Sequence, residues 1–192
     1  MSSRGTARVA ATDETEELEP DGQSADGRGV GPWRFRLAVV RHHRLVYRVA
    51  YSLLRDRHEA EDAAQETFLR FWECGGPVRG EREWLLAVVR NACLDRLRRT
   101  RRAAGDGGVP PGDEPRDERD PGWHAQHDEV AARLRERIAA LPEPQRSLVI
   151  LFDVHGLDGA ACGRILGLNA NQVKVYLHRA RRRLRRELEG SL

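Results

Sequence analysis

The chain has 192 residues, 40% of them hydrophobic, 33% charged and only 6% aromatic, and its formal net charge is +3. That length allows one ordinary domain or two small ones and excludes most multidomain catalytic assemblies, while the composition points to helical material and away from strand-rich folds and membrane spans. Almost all the positive charge is arginine, with Lys174 the one lysine, which favours planar, bidentate contact with phosphates and carboxylates.

Residues 1–32 carry a net charge of −4 and are rich in Gly, Ser and Asp; they read as a disordered acidic tail. This stretch has no apolar run of the length an exported segment needs, so the protein is expected in the cytoplasm. Residues 33–102 carry +7 and read as a first module of three helices. In the first helix, Leu37, Val40, Tyr47, Ala50 and Leu54 recur at helical intervals. Asp56 interrupts the pattern and can cap the second helix, 57–73, which places Ala60, Ala64, Thr67, Phe68 and Phe71 on one face. Its other face lines up Glu59, Asp62 and Glu66 at i, i+3 and i+7, either a solvated stripe or a dock for a basic partner. A loop from Cys74 to Gly80 precedes a third helix beginning near Glu81, with Leu85, Val88, Val89 and Ala92 toward a core. Asn91, Asp95, Arg98 and Arg102 share another of its faces. Six arginines between Arg90 and Arg102 against a single acid point to nucleic acid.

Residues 103–127 return to −4 and read as a flexible acidic linker; residues 128–192 carry +4 and read as a second module. Helices are expected over 128–140, with Val130, Leu134, Ile138 and Leu141 recurring at intervals of three or four, and over 145–154. Asp158 can cap a short helix over 159–166, Gly167 supplies a turn, and Asn169 with Gln172 makes a capping box for a final helix over 170–188. Short helix, glycine turn and long helix form a helix-turn-helix. Two glycines in the short helix, Gly159 and Gly163, are expected to weaken it by roughly 1 kcal/mol each. The long helix keeps Val173, Leu177, Ala180 and Leu184 for a core, and no acid occurs between Asp158 and Glu187. Its first turns offer Asn171, Gln172, Lys174, Val175, Tyr176 and His178, groups able to read base edges as well as phosphates.

Cys74, Cys93 and Cys162 lack the spacing of a disulfide framework or zinc site and read as reduced thiols. Phosphate-binding loops, HExxH and nucleophile motifs are missing from the sequence, so no catalysis, metal or cofactor is expected.

Glu59-Ala-Glu-Asp62-Ala-Ala-Gln65-Glu66-Thr-Phe68 and the run from Trp84 to Arg99 resemble region 2 of extracytoplasmic-function sigma factors of the sigma-70 family. Leu141-Pro-Glu-Pro-Gln145-Arg146, Gly167-Leu168 and Val173-Lys174 leading into Leu177-His178-Arg179 are similar to their region 4. The resemblance implies an all-α fold of two small helical domains on a flexible linker. It implies promoter-specific initiation with core RNA polymerase, the alternative being a stand-alone helix-turn-helix regulator.

By position, the resemblance implies that Glu59, Asp62, Gln65, Glu66 and Leu69 grip the beta-prime clamp helices and that 141–150 meets the beta flap. Arg79, Arg82, Trp84, Arg90, Asn91, Asp95, Arg96, Arg98 and Arg99 would serve the −10 element. Asn169, Asn171, Gln172, Lys174, Val175, Tyr176, His178, Arg179 and Arg182 would serve the −35 element. An anti-sigma factor is the implied regulatory partner.

Overall fold

A computed structural model describes residues 30–74, 78, 80–104 and 124–189. Most of the acidic tail, most of the linker and Arg79 in the first loop fall outside the described residues. What is described is all helix and connecting turns: α1 (Pro32–Leu54), α2 (Arg57–Glu73), α3 (Glu81–Ala104), α4 (His124–Ala139), α5 (Gln145–Val149) running into a π-helical turn (Ile150–Val154), α6 (Gly159–Leu166) and α7 (Ala170–Glu189).

Local chemistry sets the boundaries. Pro32 opens α1, where its missing N–H costs nothing. Arg55 closes it in the left-handed conformation (φ 57°), its N–H bonding Tyr51 O at 2.8 Å. Asp56 then caps α2, accepting from Glu59 N at 2.9 Å. Asp158 caps α6 in the same way through Ala161 N at 2.7 Å. The capping box of α7 is complete: Asn169 Oδ1 accepts from Gln172 N, and Gln172 Oε1 from Asn169 N, both at 2.9 Å.

The first three helices pack against one another around Val46, Val49, Leu53, Phe68, Phe71, Leu85, Leu86, Val89 and Cys93. The expected faces of α2 and α3 are largely those buried, although Val88 is only half-buried. That of α1 is met in part: Ala50 and Leu54 are buried as expected, together with Ala38, Val46, Val49 and Leu53, while Leu37 and Tyr47 are half-buried and Val40 is 82% exposed. A 23-residue helix meeting two neighbours at different points along its length buries a drifting stripe that fixed-interval counting misses.

In the second half, α4 begins at His124, four residues earlier than expected, and Leu134 is exposed. The expected helix over 145–154 changes from α to π winding at Ile150. Ile138, Leu148, Ile150, Leu151, Cys162, Val173, Leu177, Ala180 and Leu184 are buried together there.

Gly159 starts α6 and lies in no interior position, while Gly163 is required by the turn. A Cβ on Gly163 would stand 2.7 Å from the backbone oxygen of Leu168, whose N–H bonds Gly163 O at 2.9 Å. Gly167 follows with φ +66°. The sequence expectation of a helix merely weakened by glycine is thus corrected. The absent side chain lets α7 approach α6.

Candidate nucleic-acid interface

Charged side chains divide into those that face solvent and those consumed by internal pairing. On α7, Asn171, Gln172, Lys174, Val175, His178, Arg179 and Arg182 are exposed on the side opposite the buried stripe, together with Asn169 just before the helix, while Tyr176 is half-buried against the core. The cap engages one oxygen each of Asn169 and Gln172, leaving their amide donors for a ligand. Arg181 is held instead by a two-point contact with Asp153 and lies 5.5 Å above the Phe152 ring. Arg183 pairs with Glu187 at 2.9 Å. The outcome is an open basic helix face with amide and imidazole groups at its N-terminal end, the stereochemistry that a major groove accepts.

On α3 the sequence-predicted residues separate. Asn91, Asp95, Arg98 and Arg99 are exposed, with Asp95 accepting from Arg98 at 2.9 Å. Arg82 is also exposed. Trp84 is half-buried with its ring tilted on Phe71, centroids 5.8 Å apart. Arg96 does not join the open face: its side chain is 16% exposed, with Nε 3.1 Å from Glu59 Oε2 and a terminal nitrogen 2.8 Å from Glu66 Oε2. On α2, Asp62 and Gln65 are exposed, and Leu69 is 60% exposed beside them. The acidic stripe is therefore unequal, because its two ends are tied to Arg96 while Asp62 has no ion pair among the described residues.

Arg90 points the other way, into a seam between the two halves that sequence reading missed. Its Nε donates to Ser147 Oγ at 3.0 Å, and a terminal nitrogen lies 3.2 Å from Glu143; Ser147 in turn donates to Glu143 at 2.6 Å. Arg146 is 5% exposed and donates to Leu53 O, one of the carbonyls left over at the end of α1. Burial draws its guanidinium below the usual arginine range. Across the same seam Arg164 pairs with Glu83 at 2.8 Å, which holds the Glu83 carboxyl below its ordinary range. Ser52 spends its proton on Arg48 O at 2.8 Å, so its oxygen accepts from His155 Nε2 at 3.0 Å. Burial, reinforced by Arg48, lowers the His155 imidazole to about 4. The 141–150 face expected to meet the beta flap is in part covered here: Leu141 and 146–150 are buried. These partners are 53 to 103 residues apart in sequence, and no local pattern announces them.

Burial also raises the Cys93 thiol to about 12 and the Cys162 thiol to about 11, while Cys74 is exposed. Among the described residues no group of three His, Cys, Asp or Glu side chains could hold a metal, and no helix is long and apolar enough to cross a membrane.

Comparison with known proteins assigns both halves. Residues 38–103 match the family model for sigma-70 region 2, and residues 131–184 match that for sigma-70 region 4. The ECF RNA polymerase sigma factor SigE of Mycolicibacterium smegmatis is 33% identical over 159 residues, which cover 77% of this chain and 58% of that protein. SigM of Mycobacterium tuberculosis, also an ECF RNA polymerase sigma factor, is 33% identical over 154 residues, covering 77% of this chain and 74% of that protein. In fold, the chain resembles the sigma factor RpoE of Bartonella quintana, solved in complex with the anti-sigma factor NepR. The TM-score is 0.59 at 21% identity, covering 81% of this chain and 97% of that one. Two region models in the expected order, together with relatives matched across both regions, place the chain in the family of ECF RNA polymerase sigma factors.

Proposed function

We propose that the protein binds core RNA polymerase and directs initiation at a restricted set of promoters, supplying recognition and no chemistry of its own. The observation that carries this reading is the pairing, in one chain, of a helix-turn-helix whose last helix is open and basic with a separate helical set whose α2 is acidic and whose α3 is arginine-rich. A stand-alone regulator has use only for the first of these.

The exposed face of α7, with Asn169, Asn171, Gln172, Lys174, Val175, His178, Arg179 and Arg182, reads the −35 element. Asn91, Asp95, Arg98 and Arg99 on α3, with Arg82 at its start and Arg79 in the loop before it, serve the −10 element. Phosphate contacts by these arginines make promoter affinity fall steeply with salt. Asp62, Gln65 and Leu69 present the polymerase-facing surface of α2. Residues 33–102 and 128–192 act as the two working modules, with 103–127 joining them, and the site of action is the cytoplasm. The structural relative's complex with an anti-sigma factor supports a regulator of that class here.

Transcription in vitro by purified core polymerase on a genomic promoter library, with and without the chain, tests the reading. A discrete set of promoters should fire only with it. Identical start sites in both reactions would sink the proposal.

A further inference from the structure

Arg96 is the one arginine of the cluster from Arg90 to Arg102 whose side chain reaches back to α2. Arg98, Arg99, Arg101 and Arg102 are exposed, and Arg90 enters the seam with the second half. Arg96 instead joins two carboxylates seven residues apart on α2, Glu59 at 3.1 Å and Glu66 at 2.8 Å, and Glu66 is also held by Arg70 at 2.5 Å. A planar guanidinium with divergent donors can hold two acceptors at once in fixed directions, which a point charge on a flexible stem does less well. The contact also fixes α2 against α3, so the stripe containing Asp62 cannot slide or rotate relative to the arginine face of α3.

We propose that Arg96 is a positioning residue for polymerase binding: it acts through Glu59 and Glu66 to hold the α2 stripe in its docking geometry, and it does not touch promoter DNA. The proposal rests on the reading of α2 as the polymerase-facing helix. It makes a counterintuitive claim. Removing Arg96 makes the stripe more negative, which by charge alone would strengthen attraction to a basic partner. Loss of order works in the opposite direction, since carboxylates already fixed in place lose less conformational freedom on docking.

The experiment measures binding of full-length chain to purified core polymerase by fluorescence anisotropy for wild type, Arg96→Gln, Glu59→Gln/Glu66→Gln and the triple variant. Promoter opening at saturating core and thermal unfolding are followed in parallel. Glu59→Gln alone, at a half-exposed position, supplies a variant with little to lose in folding. Arg96→Gln should weaken core binding roughly five- to tenfold, as for coupled residues in one network. It should cause no further loss in the Glu59→Gln/Glu66→Gln background and should leave opening at saturating core unchanged. Unchanged core affinity with impaired opening would make Arg96 a DNA contact and overturn the proposal. An equal loss in both backgrounds, or tighter core binding, would overturn it as well. Should the wild-type chain itself show no saturable binding to core, the functional reading fails, and the proposal with it.

Discussion

Gly163→Ala is the substitution for which sequence and structure give opposite signs. By helix propensity alone the change stabilises α6 by about 1 kcal/mol. In place, the new Cβ meets Leu168 O at 2.7 Å, and that oxygen belongs to backbone, so no side chain can swing aside. Leu168 is constrained on both sides, by its own N–H bond to Gly163 O and by the Asn169 cap that follows. Forcing the two segments apart costs about 1–3 kcal/mol in overpacking, and weakening the 163–168 bond adds about 1 kcal/mol. Set against the propensity gain, the expected net loss is about 2 kcal/mol. For a chain of this length that lowers the melting temperature by roughly 4–8 °C. Gly159→Ala is the internal control: its Cβ would lie 3.7 Å from Val173 and 3.9 Å from Phe152, ordinary contact distances. It should stabilise by about 0.4–1 kcal/mol through the unfolded chain. Scanning calorimetry of both variants should show shifts of opposite sign. If Gly163→Ala melts at or above the wild-type temperature, the account of the turn is wrong.

Three further predictions come from the caps, the thiols and the seam. Asn169→Ala removes one arm of the capping box and should cost about 1 kcal/mol, measured by denaturant unfolding. Cys74 should react quickly with a maleimide, whereas Cys93 and Cys162, with thiols raised to about 12 and 11 by burial, should label only on unfolding; fast labelling of all three would contradict the packing. The third concerns pH. His155 sits at about 4 in the packed arrangement and returns to about 6.5 when exposed, so the parted form binds the proton more tightly. Its contribution to the seam is intact above pH of about 6.5 and declines as pH falls toward 4. Energy transfer between dyes on the two halves should drop across that window. His155→Gln should flatten the response, and a flat wild-type profile would refute it.

Helix caps, and the boundaries they set, were legible in the sequence because their chemistry is local, whereas the start of α4 and the π turn at Ile150 were not. Asp56, Asp158, Asn169 and Gln172 each act within three residues of themselves. The buried stripe of α7 was equally plain, since one helix packed on one core keeps a steady period. Pattern reading failed where a residue's partner lies on another element. Arg96 and Arg90 look in sequence like any other members of an arginine-rich face, and only the approach of α2 or α5 distinguishes them from Arg98 and Arg99. Arg146 gave still less warning, because its acceptor is the Leu53 carbonyl, a group that every residue has.

The seam also limits reach. A helical module of about 65 residues has a radius of gyration near 11 Å, so two that abut span roughly 55 Å. A chain whose halves part has given up its Arg146, Arg90, Arg164 and His155 contacts, which under the proposed function contacts with DNA and polymerase would replace. Where the proposed promoter binding requires the parted form, apparent affinity is the intrinsic affinity multiplied by the fraction of molecules already parted. Under the proposed function, transcriptional output can then be tuned at residues that touch neither DNA nor polymerase, by strengthening or loosening how the chain grips itself.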